Sequence, residues 1–159
     1  MGYSPAISAR PVLLLGVATH FEQGWPRNLL QSAREVAAVA LRDDVSWQKS
    51  EAIPGQYDFS SSAGYVAEAC NKGFDVLLVL DPRHLRYDGG HMVASPAGQL
   101  AFGRYVEALL DHVSSGCISG IEVGNEINSN SEMMGKDEQT AITAYANLLH
   151  VLRLSLIHI

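Results

Sequence analysis

Short apolar runs alternate along this chain with stretches whose apolar residues recur at helical spacing. Residues 12–18, within Pro11-Val12-Leu13-Leu14-Leu15-Gly16-Val17-Ala18, read as a continuous apolar strand of a parallel sheet. A polar turn from Glu22 to Arg27 leads to a helix near Asn28–Ala38, with Leu29, Leu30, Ala33, Val36 and Ala37 at helical spacing. Val39-Ala40-Leu41-Arg42 is a short second strand ending in charge, and Asp43 through Phe59 reads as the loop after it. Ser60-Ser61-Ser62 offers N-cap candidates for a helix over Ala63–Asn71, which Lys72-Gly73 stops. Asp75–Asp81 is the clearest strand, closed by Pro82. After a polar loop, Ser95-Pro96 caps and starts a helix over Ala97–Val113, with Leu100, Tyr105, Val106, Leu109, Leu110 and Val113 on one face. A fourth strand lies within Ile118–Ser129, and a last helix runs from about Lys136 to the chain end.

Strand and helix thus repeat four times without a linker or low-complexity tract, so residues 1–159 form one domain. Two α/β architectures fit: a partial (β/α)8 TIM barrel of four βα units with parallel strands, or a doubly wound open sheet. The loops separate them. A dinucleotide-binding sheet carries a Gly-rich phosphate turn after its first strand, where this chain has Thr19-His20-Phe21-Glu22-Gln23-Gly24. The first three long loops all follow strand ends and carry Trp, His, Arg and Asp, as the active-site loops of a barrel do. A whole barrel takes about 250 residues, so 159 residues accommodate half of one.

Composition narrows the partners. At 47% apolar and 18% charged residues the chain can bury one sizeable core. A net charge of -6 with no Lys/Arg cluster argues against nucleic acid or an anionic membrane. No segment approaches the roughly 20 apolar residues that span a bilayer. Arg10 and the run after it resemble the start of a signal peptide, but the run is short and Thr19-His20-Phe21 replaces a small-residue cleavage site. Cys70 and Cys117 lack metal-ligand spacing and read as small buried apolar residues, which leaves the cellular compartment undecided.

The fourth strand holds the candidate chemistry. Ile118-Ser119-Gly120-Ile121-Glu122-Val123-Gly124-Asn125-Glu126-Ile127-Asn128-Ser129 carries one acid inside an apolar run and ends in an Asn-Glu pair. The C-terminal ends of barrel strands are where catalytic carboxylates are displayed. Without a bulge, alternation puts Glu122, Gly124 and Glu126 on one face. Glu122 then points inward, where an unpaired carboxylate is costly, so it needs a partner, with Arg42 the first candidate.

Four segments keep their order at the ends of the four strands. They are Gly16-Val17-Ala18-Thr19-His20-Phe21, Leu41-Arg42-Asp43-Asp44-Val45-Ser46-Trp47 continuing to Gly55-Gln56-Tyr57-Asp58-Phe59, Tyr87-Asp88-Gly89-Gly90, and Glu122 through Asn128. Together they resemble the retaining glycoside hydrolases of clan A, most closely the families grouping β-xylosidases and related endoglycosidases. The resemblance covers nearly the whole chain. It implies a (β/α)8 barrel that hydrolyses O-glycosyl bonds of an oligo- or polysaccharide, a carbohydrate partner and no cofactor. It makes Glu126 the acid/base and Asn125 the contact to the sugar's 2-hydroxyl. The family's nucleophile, a glutamate ending strand seven, has no counterpart here, so the chain by itself is expected to be inactive. Leu154–Ile159 does not resemble the lead into a fifth strand and reads as a non-native tail.

The remaining candidates each have two readings. Arg42 either hydrogen-bonds the absent nucleophile or pairs with Glu122. His20 binds a sugar hydroxyl or caps the barrel mouth, and Trp47 stacks on a pyranose or is buried. Asp81, His84, Asp88 and His91 have metal-ligating side chains, but their Gly-rich loop argues against a metal site. Asp43-Asp44 reads as a solvated loop pair, Glu51 as a surface residue, and Met133-Met134 as apolar filling. A half barrel leaves two sheet edges open, which predicts either self-association through them or marginal stability. The competing function is a non-catalytic carbohydrate-binding or pseudoenzyme α/β domain.

Overall fold

The computed structural model describes residues 13–113, 115–129 and 137–155. Four strands, β1 (Gly16–Ala18), β2 (Ala40–Val45), β3 (Asp75–Leu80) and β4 (Ile118–Val123), form one sheet in the order β1-β2-β3-β4, every pairing parallel. Helices α1 (Leu29–Glu35), α2 (Trp47–Ser50), α3 (Gly64–Asn71), α4 (Pro96–His112) and α5 (Glu138–Ser155) connect and follow them. This is the α/β fold of four βα units that the apolar pattern predicts. Among the described residues, β1 and β4 each pair on one side only, and no helix is long and apolar enough to cross a membrane.

The largest departure from the sequence reading is β2. It continues through Asp43 and Asp44 to Val45, and burial alternates along it: Leu41, Asp43 and Val45 are buried, while Ala40, Arg42 and Asp44 are half-buried. Period two therefore sends Arg42 and Asp44 to the face opposite the core. Asp43 is not a solvated loop acid. Only 1% exposed, it accepts hydrogen bonds at Oδ2 from Thr19 Oγ1 and Phe21 N, both at 2.7 Å, and fixes the chain as it leaves β1. β1 is shorter than expected. Leu13–Leu15 lie exposed ahead of it, and Val12 is outside the described residues.

The core lies between the sheet and its helices, with Leu41, Val45, Val76, Leu78 and Leu80 meeting Val66, Phe102, Val106 and Leu109. Leu100 does not share the buried face of α4 and is 55% exposed. Three tyrosines then fix strand ends from the helices. Tyr65 of α3 donates to Asp44 O at 3.2 Å, Tyr105 of α4 to Val45 O at 2.9 Å, and Tyr145 of α5 to Val123 O at 2.8 Å. Burial, followed by the negative charge of Asp43, holds the Tyr65 phenol far above its ordinary value and keeps it a donor.

Trp47 and Glu51 form the lock of the loop after β2. The Trp47 ring stacks between Tyr87, 5.1 Å away, and Tyr105, 5.8 Å away, and its Nε1 donates to Glu51 Oε2. Glu51 is 1% exposed, not a surface residue, and its Oε1 also accepts from Gly55 N at 2.6 Å and Tyr87 Oη at 3.2 Å. Its burial is compensated by three donors, as a buried carboxylate requires.

Cys70 and Cys117 are not separate apolar fillers. They form a disulfide with Cα atoms 5.6 Å apart, joining the end of α3 to the 3₁₀ turn Ser115–Cys117 that enters β4. Ser95 caps α4 with Pro96 in its first turn, as expected. The serines before α3 do not cap it: Ala63 holds that position, and Ser62 instead bonds Ser50 Oγ to Oγ at 2.6 Å. Met133-Met134 and residues 156–159 lie outside the described residues.

Candidate functional site

Arg42 and Glu122 meet across the face of β3. Arg42 Nε donates to Glu122 Oε2 at 2.8 Å and Nη2 to Oε1 at 2.7 Å, so the expected pairing is present and bidentate. The same Nη2 donates to Asn125 Oδ1 at 2.9 Å. Glu122 thus orients Arg42, and Arg42 holds the Asn125 carbonyl, leaving the Asn125 amide NH2 as the group available to a ligand.

The Arg42 hydrogen bond, reinforced by its charge, holds the Glu122 carboxyl below its ordinary value. A depressed folded-state value means the pair stabilises the fold above the ordinary carboxylate range, and that contribution fades as pH falls through the lowered value. Both side chains are about one-third exposed. Screening therefore keeps the expected loss in Glu122→Gln under about 1 kcal/mol at neutral pH. Urea melts of the two proteins should differ near neutral pH, and the gap should narrow as the solution is acidified below the ordinary carboxylate range; a gap that widened in acid would contradict this account.

β4 does not carry its alternation through to Glu126. Opposite β3 its register shifts, with Val76 facing Ile118 and Leu77 facing Gly120, so Ser119 is the extra residue of a bulge. The strand ends at Val123. Gly124 has φ +73°, its N–H donates to Leu80 O at 2.8 Å, and an added Cβ would sit 2.5 Å from Ile127 Cγ2. Only glycine satisfies both demands. Glu126 follows at φ +50° and is exposed, beyond the end of the strand, so strand alternation does not reach it from Glu122.

Beside this turn a cleft of about 420 Å³ opens at the C-terminal ends of the strands, lined by His20, Glu22, Arg42, Asp44, Asp81, Arg83 and Asn125 among others. His20, Arg42 and Asn125 are therefore brought together, while Glu126 is not in the lining. His20 packs edge-on to Trp25 at 5.2 Å, and its Nδ1 is buried without a hydrogen-bond partner among the described residues. Trp47 is 0% exposed inside the core, so the sugar-stacking expectation is corrected: no ligand can reach its face. Of the four metal-type side chains in the third loop, Asp81 pairs with Arg83, His84 Nε2 contacts Glu51 O at 3.0 Å, and Asp88 accepts from Ser95 N and Oγ. Among the described residues, no group of three or more His, Cys, Asp or Glu could hold a metal ion.

Neither a protein-family model nor a curated protein matches this chain. Among solved structures it is similar to a family 39 glycoside hydrolase from the gut symbiont Bacteroides cellulosilyticus WH2. The TM-score is 0.64 at 19% identity, over 89% of this chain. The likeness is one of fold. This chain spans 28% of the length of that structure.

Two features of the cleft escape a reading from sequence. The charge of Asp44 reads as loop, although Leu41, Asp43 and Val45 continue a period of two that places it beside Arg42 on the open face. Glu22, whose side chain is 6% exposed, lines the cleft, and Lys49 Nζ comes within 2.8 Å of its Oε1. The contact is an ion pair. No sequence spacing announces a pair between the loop after β1 and α2.

Proposed function

We propose that this chain is the N-terminal part of a retaining glycoside hydrolase barrel, with Glu126 as its acid/base and Asn125 as the contact to the sugar hydroxyl beside the scissile bond. The observation that supports this most is the hydrogen-bonded series Glu122–Arg42–Asn125 at the ends of β2 and β4, beside the cleft. It fixes one amide at the mouth of the fold, as hydroxyl recognition requires. Retention needs a second carboxyl about 5–5.5 Å from the first, and the family assigns it to a seventh strand, beyond these four units. The chain is therefore expected to bind carbohydrate without turning it over.

Titrating isotopically labelled protein with xylobiose tests this reading. Asn125 side-chain and Arg42 Nε–H resonances should shift together and saturably, and less so in Glu122→Gln. No shift at saturating sugar would sink the proposal.

The second reading is a sugar-binding α/β domain without chemistry. It draws support from Glu126 standing exposed outside the cleft lining. Hydrolysis of an aryl β-glycoside that vanished in Glu126→Gln would exclude it, and would also place the second carboxylate within these four units.

A further inference from the structure

We propose that Asp44 is the specificity-determining residue of the cleft: its carboxylate accepts hydrogen bonds from the hydroxyls of an uncharged pyranoside and turns away sugars that carry their own carboxylate. This rests on the carbohydrate-binding reading above and goes on to say which sugars that site takes.

Asp44 is held by its backbone and left free at its side chain. Its N–H donates to Asp43 Oδ1 at 2.7 Å and its carbonyl accepts from Tyr65 Oη, yet its carboxylate has no hydrogen bond or ion pair among the described residues. It lines the cleft half-buried. Its oxygens are open to the cleft, where the hydroxyl of an incoming sugar can replace water as their donor. Burial, and then the charge of Asp43, raises the Asp44 carboxyl above its ordinary value, so the fold holds this charge against its own stability.

The cations around it are engaged elsewhere. Arg42 is forked onto Glu122, Arg83 donates from Nε and Nη2 to Asp81, and Lys49 lies against Glu22. Asp44 is thus the cleft carboxylate without a cation in contact among the described residues. A uronate placed here would bring like charges together in a partly desolvated site, which is strongly disfavoured. A neutral sugar meets no such penalty. His20 complements the carboxylate, since it lines the same cleft half-buried. An imidazole N–H and a carboxylate oxygen offer one donor and one acceptor, which suits a hydroxyl or a neighbouring pair of them.

Calorimetric titration at neutral pH with methyl β-D-xylopyranoside and methyl β-D-glucuronide tests the proposal. The wild-type chain should bind the xyloside at least about tenfold more tightly. Asp44→Asn should weaken xyloside binding by roughly tenfold, and bring the two sugars within about threefold of each other. Since the Asp44 side chain makes no hydrogen bond or ion pair among the described residues, the variant should melt no lower than wild type. Equal wild-type affinities for the two sugars would overturn this proposal alone, as would unchanged affinities in Asp44→Asn. Binding of neither sugar would overturn the carbohydrate-binding reading and this inference with it.

Discussion

Trp47→Ala is expected to lower the unfolding free energy by roughly 3–5 kcal/mol, a large share of the roughly 5–15 kcal/mol typical of a folded domain. The indole is fully enclosed, stacked between two tyrosines and packed on Phe102. Its removal opens a cavity at the centre of the core and takes one donor from the buried Glu51 carboxylate. Thermal denaturation followed by circular dichroism should show a melting temperature lower by about 6–20 °C for a chain of this size. Trp47→Phe separates the two contributions. It keeps most of the ring volume, loses the N–H, and should forfeit only about 1–3 kcal/mol. A tryptophan serving as a sugar platform would behave in the opposite way, altering ligand affinity with little change in melting. A Trp47→Ala protein melting within about 2 °C of wild type would refute the core assignment.

Opening the Cys70–Cys117 disulfide should have an effect of similar size. The bridge closes a loop over a sequence separation of 47. The chain-entropy relation gives about 4 kcal/mol for a loop of that length, with measured cases commonly at 2–4 kcal/mol. The bridge also anchors the entry of β4, the strand that leads to Asn125 and Glu126. The Cys70→Ala, Cys117→Ala double variant, and wild type in reductant, should both melt about 4–16 °C below the oxidised protein. Two titratable thiols in denatured protein that has met no reductant would show that the pair does not form.

What the sequence discloses follows from the range over which each signal acts. β3 is legible because six strand residues, apolar after Asp75, stand between a glycine stop and an Asp-Pro closure. The start of α4 is legible because Ser95 and Pro96 are local capping chemistry. The Arg42–Glu122 pair is legible because an acid on an inward strand position needs a counter-charge, and one strand offered it.

The failures have equally specific causes. Charge at Asp43 and Asp44 looked like a strand end, yet Asp43 is satisfied by Thr19 and Phe21, residues no local window includes. Glu51 looked like surface because its donors come from Trp47, Gly55 and Tyr87, the last of which lies 36 positions away. The disulfide partners are farther apart still. Alternation puts Glu126 on the face of Glu122 only if it runs through Gly124, and a glycine at a strand end warns of a change in backbone direction.

The fork of Arg42 on Glu122 also has a mechanical meaning. Its ends belong to β2 and β4, and β3 lies between them. Strands two apart in a flat sheet are separated by about 9–10 Å. An arginine and a glutamate together bridge that distance, so the fork straps the end of β2 to the end of β4 over β3, and through Arg42 it also holds Asn125 at the edge of the cleft. Cutting the strap would release the cleft's groups before it changed the stability of the fold.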